Sequence, residues 1–388
     1  MRVLLLSSRF PPQRCGIGDY TCFLGGALSD LGHSVDILTG VGPIDNSLYP
    51  LSETVRVHRL IENWAAGGLR ELIQHVRKLD PEVVLLQYSP SAFDTRGVTF
   101  AVNLFPALLR LGGGSRLVTN FHELFVSFDG SMRRRFGGIW QRAAAFFLAT
   151  ASHGLSVTTA SWARALRAIG IRRPVQVIPV GSNIPVAPST YEERSALRRK
   201  ILGPNDGVLM AGFGARHDRD LSAVLAALGD LKKKMVAKLV WIGGGEPDAQ
   251  YQGRLAEWMR GNGLTDDDVR WTGTLPHPQV SRLLSAADCM ILPFIDGVSA
   301  RRTSAVSALQ HGLPLLTTGG DGEPWFIHGK NVYLTPVGDS AALREGLRDL
   351  VSSPELRATI AHGARKLYDE RFAWEVIARG VATLAGQN

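Results

Sequence analysis

The stretch PFIDGVSARRTSAVSALQHGLP, Pro293 to Pro314, follows a short apolar run, Cys289-Met290-Ile291-Leu292, that reads as a strand stopped by proline. A turn at Asp296-Gly297 comes next. A helix is predicted from Ser299 as its cap, with Ala305 and Leu309 on its apolar side and Gly312 and Pro314 as its stop. Strand, loop and helix in that order are the repeating unit of a parallel sheet. The loop brings Ser299, Arg301, Arg302, Thr303 and Ser304 to a helix N-terminus, where free N–H groups and the positive end of the helix dipole favour an anion. Two arginines add donors matched to phosphate oxygens, so this end is expected to seat a diphosphate. The plainer alternative is a surface helix start with two solvated arginines.

The same unit repeats on both sides of this stretch. Before it stand the strands Gly207–Ala211, Leu239–Ile242 and Val269–Gly273; after it come Pro314–Thr318 and two amphipathic helices from Ser340 to Glu370. The first of these strands opens onto GFGARHDRDL, which puts Arg216 and Arg219 in a strand-to-helix loop, and the second ends on Gly243-Gly244-Gly245-Glu246. Asp218 and Asp220 form a literal D-x-D, read here as acids at a helix start rather than as metal ligands.

Towards the N-terminus, Val3–Ser7 is strand one, followed by Pro11-Pro12, a loop carrying Gly16 and Gly18, a helix over 20–31 and a strand at Val35–Leu38. Thr21 stands where a third glycine would complete a dinucleotide fingerprint, so a nicotinamide cofactor has little support. Val83–Tyr88 and Arg116–Phe121 are buried strands, the second ending at His122, where an imidazole can contact a sugar hydroxyl or simply be satisfied in the core. Between Asp129 and Ala151, Arg133, Arg134 and Arg135 precede Phe136, Ile139, Trp140, Phe146, Phe147 and Leu148. That pattern suits a helix on an anionic membrane surface, and equally a domain helix with solvated arginines. Leu155–Thr159 and Val175–Pro179 complete the first half, and the proline-rich segment 181–189 reads as a linker.

A chain of 388 residues is too long for one ordinary core, and each half alternates strands and helices. The prediction is α/β: two Rossmann-like doubly wound domains facing across a cleft, residues 1–185 and 186–370, with a helix over 371–388 crossing back to the first. Three cysteines form neither a disulfide framework nor a zinc spacing, which fits a reducing cytosol. A net charge of +8 favours anionic partners, but no finger or ribonucleoprotein motif accompanies it, so nucleic acid ranks last.

The order of PP-x-x-x-GIGDYT, a strand ending in His122, the Arg216 loop, IGGGE, VRWTGTLP, AADCMILPF, HGLPLLTT and HGKNVYLTPVGD resembles the retaining nucleotide-sugar glycosyltransferases of family four, which have the GT-B fold. The resemblance spans nearly the whole chain. It implies an acceptor-side first domain and a donor-binding second domain, a nucleotide-sugar donor and no cofactor or metal. It further implies that Gly16 and Gly18 approach the diphosphate, that His122 lies beside the donor sugar, that Arg216 is the diphosphate-binding arginine and that Gly244 belongs to the nucleotide or sugar site. The family's lysine after that arginine is absent, and Arg219 is the nearest cation. Two glutamates of the family's pattern are also missing: counting back from Gly312 puts Ser307 and Ser299 in their places. Asp296 and Glu323 are then the carboxylates available for sugar hydroxyls, and His122, Arg216 and Asp296 are the expected catalytic residues. A glycan, a lipid-linked glycan or a small molecule is the expected acceptor, and the protein is placed in the cytoplasm or on the inner face of the cell membrane. The rival readings are a noncatalytic binding protein of the same fold, favoured by the two serines, and an epimerase or inverting transferase, which a general base on the acceptor side would favour.

Overall fold

The computed structural model describes all residues except 14, 45–50, 52, 94–99, 112–113, 126–131, 205, 217–218, 246–247, 321–323 and 387–388, and the side chains of 66, 100–101, 110–111 and 132–136. The chain divides into two compact units, Met1–Gly181 with Trp374–Asn388, and Ser182–Ala373.

In chain order the first unit contains β1 (Arg2–Ser7), α1 (Gly16–Asp30), β2 (Ser34–Gly40), β3 (Val55–Ile61), α2 (Leu69–Leu79), β4 (Val83–Tyr88), α3 (Pro90–Phe93), α4 (Phe100–Leu111), β5 (Arg116–Phe121), α5 (Met132–Ala151), β6 (Gly154–Val157), α6 (Ala160–Ala168) and β7 (Gln176–Val177). All pairings are parallel, in the order β3-β2-β1-β4-β5-β6-β7. Central strands of such a sheet are covered on both faces, which is why VVLLQY in β4 is buried at every residue and opens on an apolar run, Val83–Leu86, before Gln87.

The second unit contains α7 (Tyr191–Leu202), β8 (Val208–Phe213), α8 (Leu221–Lys232), β9 (Ala237–Ile242), α9 (Ala249–Gly261), β10 (Val269–Trp271), α10 (His277–Ala286), β11 (Cys289–Leu292), α11 (Thr303–Gln310), β12 (Leu315–Thr318), β13 (Tyr333–Thr335), α12 (Ser340–Ser352) and α13 (Pro354–Leu367), ending in a π-helical turn over Tyr368–Phe372. Its strands are also parallel, in the order β10-β9-β8-β11-β12-β13. The order reverses between β8 and β11, so the loops after these two strands leave the sheet side by side at the position where open α/β sheets bind ligands. The entry to α7 is fixed by a capping box, Thr190 with Glu193.

Two helix starts differ from the sequence-based reading. The loop containing Gly16 and Gly18 is the first turn of α1, because a Cβ at Gly18 would lie 2.9 Å from the Arg9 carbonyl oxygen and only glycine lets the turn pack there. Ser299 does not cap α11: it accepts the Arg302 N–H at 3.0 Å in a preceding turn, and the helix starts four residues later. Among the described residues no helix is long and apolar enough to cross a membrane.

A final helix, α14 (Trp374–Gly386), belongs to the first unit. Ile377, Ala378, Val381, Leu384 and Ala385 are buried in the same core as Val3, Leu5 and Leu24, and Trp374 stacks on Phe23 with centroids 5.4 Å apart. Ile377 is 1% exposed, so Ile377→Ala is expected to lower the unfolding free energy of the first unit by about 3 kcal/mol, read by denaturant titration.

Candidate active site

At the β8–β11 switch the two loops are tied by backbone. Asp220 N–H donates to the Pro293 carbonyl at 2.9 Å, and Arg219 and Phe294 form an antiparallel bridge. This places the Arg219 guanidinium over the Phe294 ring, 4.5 Å from its centroid, with Nη2 donating to Ser304 Oγ at 2.8 Å and Nη1 to the Ala215 carbonyl at 2.6 Å. Ser304 lies in the first turn of α11, so one buried cation touches the N-terminal turn of the helix. The Arg302 guanidinium is also over Phe294, at 4.6 Å. Its Nη2 donates to one oxygen of Asp296, and Arg301 Nη2 donates to the other at 3.2 Å. Thr303, half-buried, is the first residue of the helix. Arg219, Arg301, Arg302, Thr303 and Ser304 therefore converge on one helix end, with Asp296 among them as the counter-charge.

Arg216 stands in the same loop as Arg219 but faces another way. Its Nη2 donates to the carbonyls of Gly244, at 3.4 Å, and Gly245, and the guanidinium sits over Trp271 at 5.3 Å. Burial lowers its pKa from the ordinary arginine value. It lines a cavity of about 550 Å³ with Gln252, Leu255, Met259 and Trp271, whereas Arg219 lines a separate one of about 320 Å³ with Phe294, Thr318, Thr335 and Asp339. The two arginines predicted to grip one diphosphate thus have different partners, although both side chains border Gly214.

Ser307, in the family's glutamate position, is fully buried on α11, its hydroxyl donating to the Thr303 carbonyl at 2.9 Å and lying 3.0 Å from Ser182 Oγ. Ser299 remains half-buried in the turn before the helix. Glu323 lies outside the described residues, as does Asp218. Asp220 caps α8, accepting the Ala223 N–H at 3.1 Å, and among the described residues no group of three or more His, Cys, Asp and Glu side chains could hold a metal ion.

In the first unit the strand register builds a polar row. Gln87, Asn120 and Ser156 are direct neighbours on β4, β5 and β6. Asn120 Nδ2 donates to Gln87 Oε1 at 3.1 Å, and Ser156 Oγ donates to Asn120 Oδ1 at 3.2 Å. His122 follows β5 with Nε2 2.9 Å from Gln87 Oε1 and the Tyr20 ring edge-on at 4.6 Å. Nε2 also lies 3.4 Å from Asn120 Nδ2; a carboxamide oxygen only accepts, so the shorter contact to Gln87 favours the tautomer with the proton on Nε2 and the lone pair on Nδ1. Burial pushes the His122 pKa down to about 3, so the ring is neutral at physiological pH and has no proton to give as an imidazolium. Gly16 and Gly18 stand at the start of α1, the helix that supplies Tyr20.

Sequence reasoning passed over Glu123, the next residue. Its carboxylate accepts from Ser89 Oγ at 2.6 Å and Ser91 Oγ at 2.9 Å at the carboxyl ends of β4 and β5. The only available signal was its position directly after a strand-end histidine.

Comparison with solved structures shows similarity to sucrose-phosphate synthase from Thermosynechococcus elongatus, at 19% identity, covering 98% of this chain and 97% of that one with a TM-score of 0.76. The model for "Glycosyl transferase 4-like domain" matches residues 15–181, and that for "Glycosyl transferases group 1" matches residues 205–353. The chain is a GT-B glycosyltransferase. Other GT-B structures agree over full length: Anabaena HepE in complex with UDP, at 18% identity, 100% of both chains and TM-score 0.73, and WaaG, a glycosyltransferase involved in lipopolysaccharide biosynthesis, at 15% identity, 99% and 100% of the chains and TM-score 0.67. No curated protein matches the sequence.

The neutral histidine of this glycosyltransferase gives a measurable linkage. Between pH 3 and 6.5 the unfolded chain binds a proton at His122 that the folded chain does not, so this contribution to stability is complete above pH 6.5 and is lost as pH falls through the window. His122→Gln is expected to flatten the stability profile of the first unit below pH 6.5, by up to about 1.4 kcal/mol per pH unit, in denaturant titrations from pH 4.5 to 7.5.

Proposed function

We propose that the protein is a retaining, metal-independent glycosyltransferase that moves a sugar from a nucleotide-diphosphate donor, with the diphosphate seated at the start of α11. The observation that carries this is the convergence of Arg219, Arg301 and Arg302 on the helix end whose Ser304 hydroxyl Arg219 already engages. Expelling a nucleoside diphosphate builds negative charge on the leaving oxygens, and preorganised guanidinium and N–H donors lower the barrier by meeting that charge as it forms. His122, neutral and with Nε2–H directed at Gln87, is suited to accept a hydrogen bond from a sugar hydroxyl at Nδ1 without proton transfer. HepE structures with UDP, with UDP and glucose and with UDP-glucose, and the starch synthase IV catalytic domain from Arabidopsis thaliana with ADP and acarbose, support a nucleotide-sugar donor and make uridine and adenine the first bases to try.

A thermal-shift screen against UDP, ADP, GDP and dTDP and their common sugars tests the reading: one nucleotide is expected to raise the melting temperature, and no response to any of them overturns it. With that donor, Arg219→Ala is expected to lower kcat/KM at least tenfold, roughly 1.4 kcal/mol or more of lost transition-state stabilisation.

A second reading, inversion, draws on Glu123, a carboxylate fixed by Ser89 and Ser91 and available as a base. The anomeric configuration of the product, read by NMR, separates the two.

For the acceptor we propose a glycan or a lipid-linked glycan used at an anionic membrane surface of the cytoplasmic side. Ile139, Phe146 and Phe147 of α5 and Leu104 of α4 are exposed, and α5 begins with Arg133, Arg134 and Arg135, whose side chains lie outside the described residues. Replacing those three arginines with Ser is expected to release the protein from anionic vesicles in co-sedimentation while leaving hydrolysis of soluble donor unchanged.

A further inference from the structure

We propose that Asp296 is neither a catalytic residue nor a sugar contact but an internal competitor for the diphosphate seat: in the donor-free protein its carboxylate holds the arginine pair that phosphate takes over when donor enters. The inference rests on the proposed nucleotide-diphosphate reading.

Three observations carry it. Asp296 divides its two oxygens between the two arginines, Oδ2 to Arg301 and Oδ1 to Arg302, which is the arrangement in which a phosphate would use them. The Asp296 side chain is 49% exposed, so its ion pairs form in high dielectric and exchange at little cost. Neither the loop nor Arg302 depends on the carboxylate for its place. Arg302 is held over Phe294, the loop backbone is fixed by Val298 N–H to the Thr318 carbonyl at 2.8 Å, and Gly297 sits at φ +79 with its Cα hydrogen position facing Gly320, where a Cβ would come within 2.3 Å of the Gly320 Cα. The side chain can therefore leave without unmaking the seat.

The charge balance gives the direction. Arg219, Arg301 and Arg302 bring three positive charges, and Asp296 cancels one. A nucleoside diphosphate outcompetes a single carboxylate through greater charge and more acceptor oxygens. Once transfer is complete, the returning carboxylate favours release of the product. Asp296 then sets the affinity for diphosphate product while leaving the base and sugar contacts alone.

The test is calorimetric titration of wild type and Asp296→Asn with UDP, ADP, UDP-glucose, inorganic pyrophosphate and uridine. Asp296→Asn is expected to bind the nucleoside diphosphate and pyrophosphate about tenfold more tightly, through removal of a neighbouring like charge, with uridine unchanged. Asp296→Glu, which keeps the carboxylate, is expected to stay near wild type. Unchanged or weaker diphosphate binding by folded Asp296→Asn, when wild type binds, overturns the competitor role and leaves the diphosphate seat standing. Loss of sugar-nucleotide binding with diphosphate binding unchanged overturns it in favour of a sugar contact. Absence of any diphosphate binding by wild type overturns both the seat and the competitor.

Discussion

A parallel sheet covered by helices on both faces has no room for an unpaired polar group except at the ends of its strands. That constraint places the chemistry of both units. In the second unit Cys289–Phe294 is buried, and the first residues that reach solvent are Ile295 and Asp296, beside the loop that leaves β8. In the first unit the polar row of Gln87, Asn120 and Ser156 occurs where β4, β5 and β6 approach their carboxyl ends, and His122 extends it by one step. Gln87 Oε1, Asn120 and Ser156 are joined there by hydrogen bonds, as burial favours.

The same constraint explains what was legible beforehand. Strands buried on both faces are rich in apolar residues, so β4, β5 and β11 could be read from sequence at their observed limits. The edge strand β3 could not: Val-Arg-Val-His-Arg-Leu-Ile interrupts its apolar residues with charge because, among the described residues, it pairs with a strand on one side alone. The start of α1 was hidden for another reason. Two glycines read locally as a loop, and only the close approach of Gly18 to the Arg9 carbonyl shows that the helix packs there through a glycine.

The candidate site was legible in composition and not in pairing. The sequence put hydroxyls, arginines and a helix start together after β11, and the structure keeps Arg301, Arg302, Thr303 and Ser304 at that end. It could not show that Ser304 is engaged by Arg219, a contact across 85 positions of chain, nor that Arg216 turns instead to the Gly244 and Gly245 carbonyls. Direction of a side chain is decided by packing partners distant in sequence: Trp271 for one arginine, Phe294 for the other. Ser307 shows the converse, a position marked by resemblance whose hydroxyl is satisfied inside the fold by Thr303 and Ser182.

The placement of α14 has a consequence for the order in which the molecule is made. A ribosome delivers Met1–Gly181 first, but the core around Val3, Leu5 and Leu24 lacks Ile377, Val381 and Leu384 until Ser182–Ala373 has emerged in full. The intervening unit carries its own continuous core and needs nothing later in the chain to close it. The segment synthesised first is therefore the one completed last, and during elongation it presents an apolar groove along α1 to the cellular folding machinery.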